Sequence, residues 1–182
     1  MSENEVNMHF VCTREEAKEL IDIQSNFWIA NCGCREGNPN HCQQSRTDVC
    51  LWFENTSESG FSGVRKASKE EAIELLTIAK ESKLVTRPFR SNTVKDGVGG
   101  ICFCCQDCCC YFKSKDDSCD KGAMIEQTDM ESCSNCGICT DECYFDARKI
   151  ENDQLVIHQN HCYGCGICVD VCPMGCIEMV KR

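Results

Sequence analysis

The sequence predicts an α+β protein in two parts. Residues 1–122 read as a small, helical, cysteine-rich domain, and residues 123–182 as a tail built on an internal repeat. Three observations carry this. Two capping boxes each precede an apolar helical stripe. A cysteine pattern that begins at Cys133 recurs at Cys162. Cysteine also takes 21 of 182 positions, far more than an ordinary core uses.

The first helix is announced by Thr13-Arg14-Glu15-Glu16, an N-cap threonine with glutamate three residues on. Ala17, Leu20, Ile21 and Gln24 then share one face. Ser68-Lys69-Glu70-Glu71 repeats the signal, and Ala72, Leu75, Leu76 and Ala79 form the second stripe. Both stripes read as core. A strand is expected over residues 83–85, stopped near Pro88. Val98-Gly99-Gly100 reads as a flexible lead into the crowded segment 101–111. Residues 114–121 are polar and read as a surface loop, and residues 123–127 as the first strand of the tail. Residues 148–150 and 155–157 flank Asn152-Asp153 and predict a short hairpin.

Without its cysteines the chain is only modestly apolar, so small cores need a staple, either disulfides or metal. Residues 1–10 lack the basic start and apolar run of a secretory signal, and no stretch approaches the roughly 20 apolar residues of a membrane span. A cytoplasmic, reducing location follows as the expectation, where thiols serve metals more often than disulfides. The odd cysteine count also forbids complete internal pairing. The net charge of −10, from 29 acidic and 19 basic residues, argues against nucleic acid. It suits a redox partner protein with a basic docking patch, or simply a solubilising acidic face. The chain contains no G-x-G-x-x-G, no P-loop and no Ser-His-Asp set.

The chemistry resides in Cys133-Ser134-Asn135-Cys136-Gly137-Ile138-Cys139 followed by Cys143, and in Cys162-Tyr163-Gly164-Cys165-Gly166-Ile167-Cys168 followed by Cys172 and Pro173. Each copy is C-x2-C-x2-C-x3-C. Three closely spaced thiolates wrap one face of a cubane, each on a different iron. The fourth, expected on a helix that begins there, points to the other cluster. Cys133, Cys136, Cys139 and Cys172 are therefore expected to hold one [4Fe-4S] cluster, and Cys162, Cys165, Cys168 and Cys143 the second. Gly137, Gly164 and Gly166 let the backbone close on the sulfurs, and Ile138 and Ile167 are placed to cover the clusters. Zinc sites pair four ligands as two twos and do not match two triplets with a fourth.

On these motifs, residues 131–182 resemble a bacterial-type 2[4Fe-4S] ferredoxin. The resemblance implies a pseudo-twofold module of two hairpins, two short helices and two cubanes that moves single electrons at low potential. Tyr144 stands where proline is usual, and Cys176 where a small residue such as alanine is usual.

The other cysteines gather as Cys32-Gly33-Cys34-Arg35 with Cys42 and Cys50, and as Cys102, Cys104, Cys105, Cys108, Cys109 and Cys110. Cys12 and Cys119 stand apart. Neighbours in an extended chain face opposite ways, so either alternate thiols line one site or the segment bends into a cradle. One additional cubane, two, or something larger all fit the count. We expect at least one additional iron–sulfur cluster, with zinc as the alternative. His41 could join as a mixed ligand or lie on the surface, and Arg35 could pair with a negative cluster or be exposed. The front half is similar to the N-terminal region of ferredoxin-domain proteins of anaerobes, through Cys32-Gly33-Cys34-Arg35, Cys42, Cys50-Leu51-Trp52-Phe53, Lys83-Leu84-Val85 and the Ile101 to Cys110 run, where Gln106-Asp107 occupies a place for one residue. That likeness implies an anaerobic redox role. Three functions remain open: an electron carrier or electron-input subunit of an oxidoreductase system, a redox enzyme or reductive activase acting at the front metal site, and a metal-handling protein.

Overall fold

The computed structural model describes residues 6–40, 42–57, 60–95, 97–114 and 118–182; His41 lies outside them. The front half runs β1 (His9–Phe10), α1 (Arg14–Asp22), β2 (Phe27–Ala30), α2 (Gly33–Glu36), β3 (Cys50–Trp52), β4 (Arg65–Ala67), α3 (Lys69–Glu81), β5 (Val85–Arg90), β6 (Val98–Cys104), α4 (Cys110–Lys113) and β7 (Cys119–Asp120). Both expected helices form where their caps put them. Thr13 Oγ1 accepts the Glu16 N–H at 3.1 Å while the Glu16 carboxylate accepts the Thr13 N–H at 2.8 Å. Ser68 and Glu71 exchange the same pair of bonds at 3.2 and 2.8 Å. Four otherwise orphaned helix-end groups are satisfied in this way.

The front half is not mainly helical, as the sequence had suggested. Its strands form one sheet in the order β4-β2-β3-β6-β5-β1-β7, antiparallel except for β1 beside β7. Helices α1 and α3 cover one face, packing Ala17, Ile21, Leu75 and Ala79 against Phe27, Ile29, Leu51, Ile101 and Phe103. The strands escape detection because the alternate positions carry cysteine, glycine and arginine that are also shielded. No apolar–polar alternation is left to read.

That alternation positions the chemistry. Leu51 pairs with Ile101 and Arg87 with Cys102. With Leu51, Ile101 and Phe103 turned to the helices, Cys50, Cys102, Cys104 and Arg87 share the opposite face.

Three loop or stop readings are corrected. Strand β5 continues through Pro88 to Arg90. The bonds of its neighbours Thr86 (accepting from Cys12 N–H) and Arg90 (donating to the Met8 carbonyl) run toward β1, so the missing proline donor faces a two-residue strand and costs the long β6 ladder nothing. Gly99 and Gly100 are strand residues. At Gly100 an added Cβ would overlap the Leu51 carbonyl oxygen and the Phe89 ring, so close packing explains the glycine. Within the expected loop 114–121, Cys119–Asp120 pairs in parallel with β1, and Arg90 bonds the Asp120 carboxylate at 2.9 Å.

The tail runs β8 (Met124–Thr128), α5 (Ile138–Asp141), β9 (Arg148–Glu151), β10 (Gln154–Ile157), a short 3-10 turn, α6 (Ile167–Val171) and β11 (Ile177–Lys181). The expected hairpin is β9–β10, turned by Asn152 and Asp153 at φ 51° and 61°, the left-handed pair of a tight hairpin. Strands β8 and β11 form the second ribbon. Each helix starts from a left-handed glycine, Gly137 at φ 79° and Gly166 at φ 77°. The fourth cysteine of each motif follows its helix and does not begin one, contrary to expectation, because the third cysteine already lies inside the helix.

Tail and front are joined by polar and aromatic contacts. Arg14 pairs with Asp170 and Lys83 with Glu142. The Tyr144 hydroxyl donates to the Lys83 carbonyl at 2.9 Å and accepts from Gln44. No helix among the described residues is long and apolar enough to cross a membrane.

Candidate metal centres

Each cysteine triplet of the tail curls around a cavity, and the fourth cysteine of the other copy completes the lining. One cavity is walled by Cys133, Cys136, Cys139 and Cys172, the other by Cys162, Cys165, Cys168 and Cys143. The left-handed glycines make the curl, since at these φ values a side chain costs about 1–2 kcal/mol. Gly164 is held further, because an added Cβ would overlap the Met124 carbonyl. Ile167 is 1% exposed and covers the second cavity, whereas Ile138 is 43% exposed and does not act as a cover. Cys176 is buried, lines the first cavity and lies 3.5 Å from the Cys172 sulfur.

Burial pushes the Cys165 and Cys168 thiols up to about 12. In the metal-free tail these groups keep their protons, and a metal must displace them. Arg148 offsets the charge that follows. It is buried between the cavities, donates to the Cys139 sulfur at 3.2 Å and to Thr128 at 2.6 Å, and pairs with buried Glu126. Soft thiolate donors in two sets of four fit [4Fe-4S] clusters.

The front thiols converge on the sheet face away from α1 and α3, around a cavity of about 140 Å³. Strand β6 supplies Cys102 and Cys104, the turn after it supplies Cys105, Cys108 and Cys109, the start of α4 supplies Cys110, and the N-cap and first turn of α2 supply Cys32 and Cys34. Cys50 is hydrogen-bonded to Cys102 and Cys32, and the Cys34 and Cys110 sulfurs are 3.4 Å apart. Cys42 sits at one end, its sulfur 3.7 Å from that of Cys105. All the thiols singled out in the front sequence thus meet in one region.

These thiols cannot ionise together. Cys102 is lowered to about 5 by the hydrogen bond from Cys50, with burial opposing and His9 assisting. Cys50 is correspondingly raised. Cys34 is lowered by Cys109 and Cys32, while Cys109 is raised by Cys104 and Cys34. Each thiolate depends on a neighbour that keeps its proton, a conflict that metal cations would remove.

Two guanidiniums flank the array. Arg35, 3% exposed, is buried and not a surface charge. It donates through Nε to Cys42 at 3.4 Å and through Nη2 to the Phe103 carbonyl at 2.9 Å and to Cys105 at 3.7 Å; its Nη1 has no hydrogen-bond partner. Arg87 donates to Cys119 at 3.4 Å and to Cys104 at 4.0 Å, and lies 4.1 Å from the Tyr111 ring centre.

Sequence reading missed His9, Arg87, Tyr111, Tyr163, Glu126 and Arg148. Tyr163 sits inside the second cysteine motif, where nothing marks it apart from the other spacer residues; the others lie outside the motifs and reach their sites through strand pairing or chain crossing. Tyr111 lines the front cavity and Tyr163 the second tail cavity. Burial and then the neighbouring Tyr163 hold the Tyr111 hydroxyl above its ordinary range, and Phe145 stacks on Tyr163 at 4.3 Å and meets Tyr111 at 6.4 Å.

No curated protein matches the chain. A family model described as a 4Fe-4S dicluster domain matches residues 132–177, which span both tail cavities. The C-terminal part of this chain is a ferredoxin-type 4Fe-4S domain.

Proposed function

We propose that the chain is an iron–sulfur electron-transfer protein, the electron-input subunit of an anaerobic oxidoreductase system. In this reading Cys133, Cys136, Cys139 and Cys172 hold one [4Fe-4S] cluster, and Cys162, Cys165, Cys168 and Cys143 the other. Cys32, Cys34, Cys50, Cys102, Cys104, Cys109 and Cys110 supply ligands to a further iron–sulfur centre. The clusters, when bound, accept and release single electrons. The protein spaces them, shields them and compensates their charge.

The observation that carries this reading is the aromatic junction of Tyr111, Phe145 and Tyr163. Phe145 stacks on Tyr163 and meets Tyr111, so the wall of the front cavity is joined to the wall of the second tail cavity. Electron tunnelling falls steeply with distance and with empty space, so a packed aromatic junction favours passage between the two regions. Arg87 beside Tyr111 and Arg148 between the tail cavities place positive charge along the same line. The acidic exterior suits a basic docking patch on the partner protein.

The test is anaerobic reduction of the full chain followed by rapid-mixing spectroscopy. A front centre should fill after the tail centres, and Tyr163→Ala should slow that second phase while leaving the first unchanged. A front centre reduced at the same rate with the tail thiols replaced by serine would refute the relay. The enzyme reading is favoured by one observation, the unpartnered Arg35 Nη1 at the front cavity, which could meet an anionic substrate. It requires turnover by the isolated chain.

A further inference from the structure

Among the described residues, Cys42, Cys105 and Cys108 are the only His, Cys, Asp or Glu trio whose ligand atoms all lie within 4.8 Å of one another. The Cys105–Cys108 and Cys42–Cys105 sulfurs are 3.3 and 3.7 Å apart. Spacing distinguishes two kinds of site. A cubane puts each cysteine on a different iron and keeps the sulfurs well apart. A single tetrahedral ion with metal–sulfur bonds of about 2.3 Å draws its sulfurs to about 3.8 Å. No three tail cysteines come as close as this trio does.

Buried cysteines are often no more than small apolar residues. The buried cation argues otherwise here. A guanidinium inside a protein requires an anionic partner, and the partners of Arg35 are two of these three sulfurs and a carbonyl. Three thiolates around a divalent ion carry one net negative charge, which one arginine neutralises. The chain geometry is also suited to it: Cys105 and Cys108 lie one turn apart after β6, and the loop following α2 brings Cys42 across to them.

We propose that Cys42, Cys105 and Cys108 bind one thiophilic divalent ion, zinc as isolated, in a mononuclear site beside the iron–sulfur cavity, with Arg35 balancing its charge. Binding forms three metal–sulfur bonds and releases the thiol protons to solvent; no electron moves. The site goes beyond the electron-transfer reading and does not depend on it.

The experiment uses the full chain purified anaerobically and supplied with zinc. Element-specific zinc K-edge absorption should give about one zinc per chain with a sulfur shell at about 2.3 Å. In the Cys105→Ser/Cys108→Ser variant zinc should fall to near zero while acid-labile sulfide stays constant. Zinc without sulfur neighbours in the unaltered chain, or sulfide lost together with the ion in the variant, would overturn the proposal. A front half devoid of sulfide would defeat the relay and leave this site standing. The unaltered-chain measurement decides the matter even if the variant fails to fold.

Discussion

Arg148 donates an N–H to the Cys139 sulfur at 3.2 Å while its side chain also lines the cavity of Cys162, Cys165 and Cys168. One buried cation therefore serves both tail centres. A donor and a positive charge next to a cluster sulfur stabilise the reduced, more negative state. Arg148→Met should lower the potential of the Cys139 centre by on the order of 100 mV, the size of a charged hydrogen bond expressed for one electron. A redox titration monitored by electron paramagnetic resonance checks it; an unchanged or raised potential would contradict the role. The same variant leaves Glu126 buried and unpaired, at a cost of about 3–5 kcal/mol. Most of that stability should return in Arg148→Met/Glu126→Met, measured by chemical denaturation of the loaded protein.

Two glycines of the tail separate strain from collision. Both have positive φ, 79° at Gly137 and 83° at Gly164, but only at Gly164 would a Cβ overlap backbone, the Met124 carbonyl. Gly137→Ala should cost about 1–2 kcal/mol and keep its cluster. Gly164→Ala should cost more than about 3 kcal/mol and lose iron from the second cavity. Equal effects at the two positions would show that the cradle tolerates the displacement.

The exchange of fourth cysteines makes a further prediction. Cys172→Ser should alter the spectrum and potential of the centre held by Cys133, Cys136 and Cys139, because Cys172 lies in their cavity. Cys143→Ser should spare that centre and disturb the other. The reverse pattern would mean that each motif keeps its own fourth ligand.

Much of this arrangement was legible in the sequence, for local reasons. The capping boxes at Thr13 and Ser68 set two helices, and Asn152-Asp153 set a hairpin, because each depends on residues only a few positions apart. The cysteine repeat marked the two tail cavities by the same logic. The seven-stranded sheet was hidden because its far face substitutes Cys50, Cys102, Cys104 and Arg87 for the polar residues that usually reveal a strand. Pro88 read as a stop only while the identity of its neighbouring strand was unknown. The meeting of Tyr111, Phe145 and Tyr163, and the burial of Arg35 among thiols, arise from chain segments that meet only in the folded state.

Tyr144, at a position where proline was expected, joins tail to front through the Lys83 carbonyl and Gln44. Tyr144→Phe removes both bonds and keeps the ring that packs on Phe112 at 5.7 Å. Stability should fall by about 1–3 kcal/mol, and amide exchange should rise at the junction of the two parts while cluster content stays constant. A variant as stable as the parent, with unchanged exchange, would show that the contact does not hold the parts together.

Iron and acid-labile sulfide per chain, counted after anaerobic purification, bear most directly on whether the front thiols hold an iron–sulfur centre. The relay predicts about twelve irons or more with matching sulfide, falling to about eight in Cys34→Ser/Cys109→Ser. About eight of each in the unaltered chain, with no loss in the variant, would confine the clusters to the tail and contradict it.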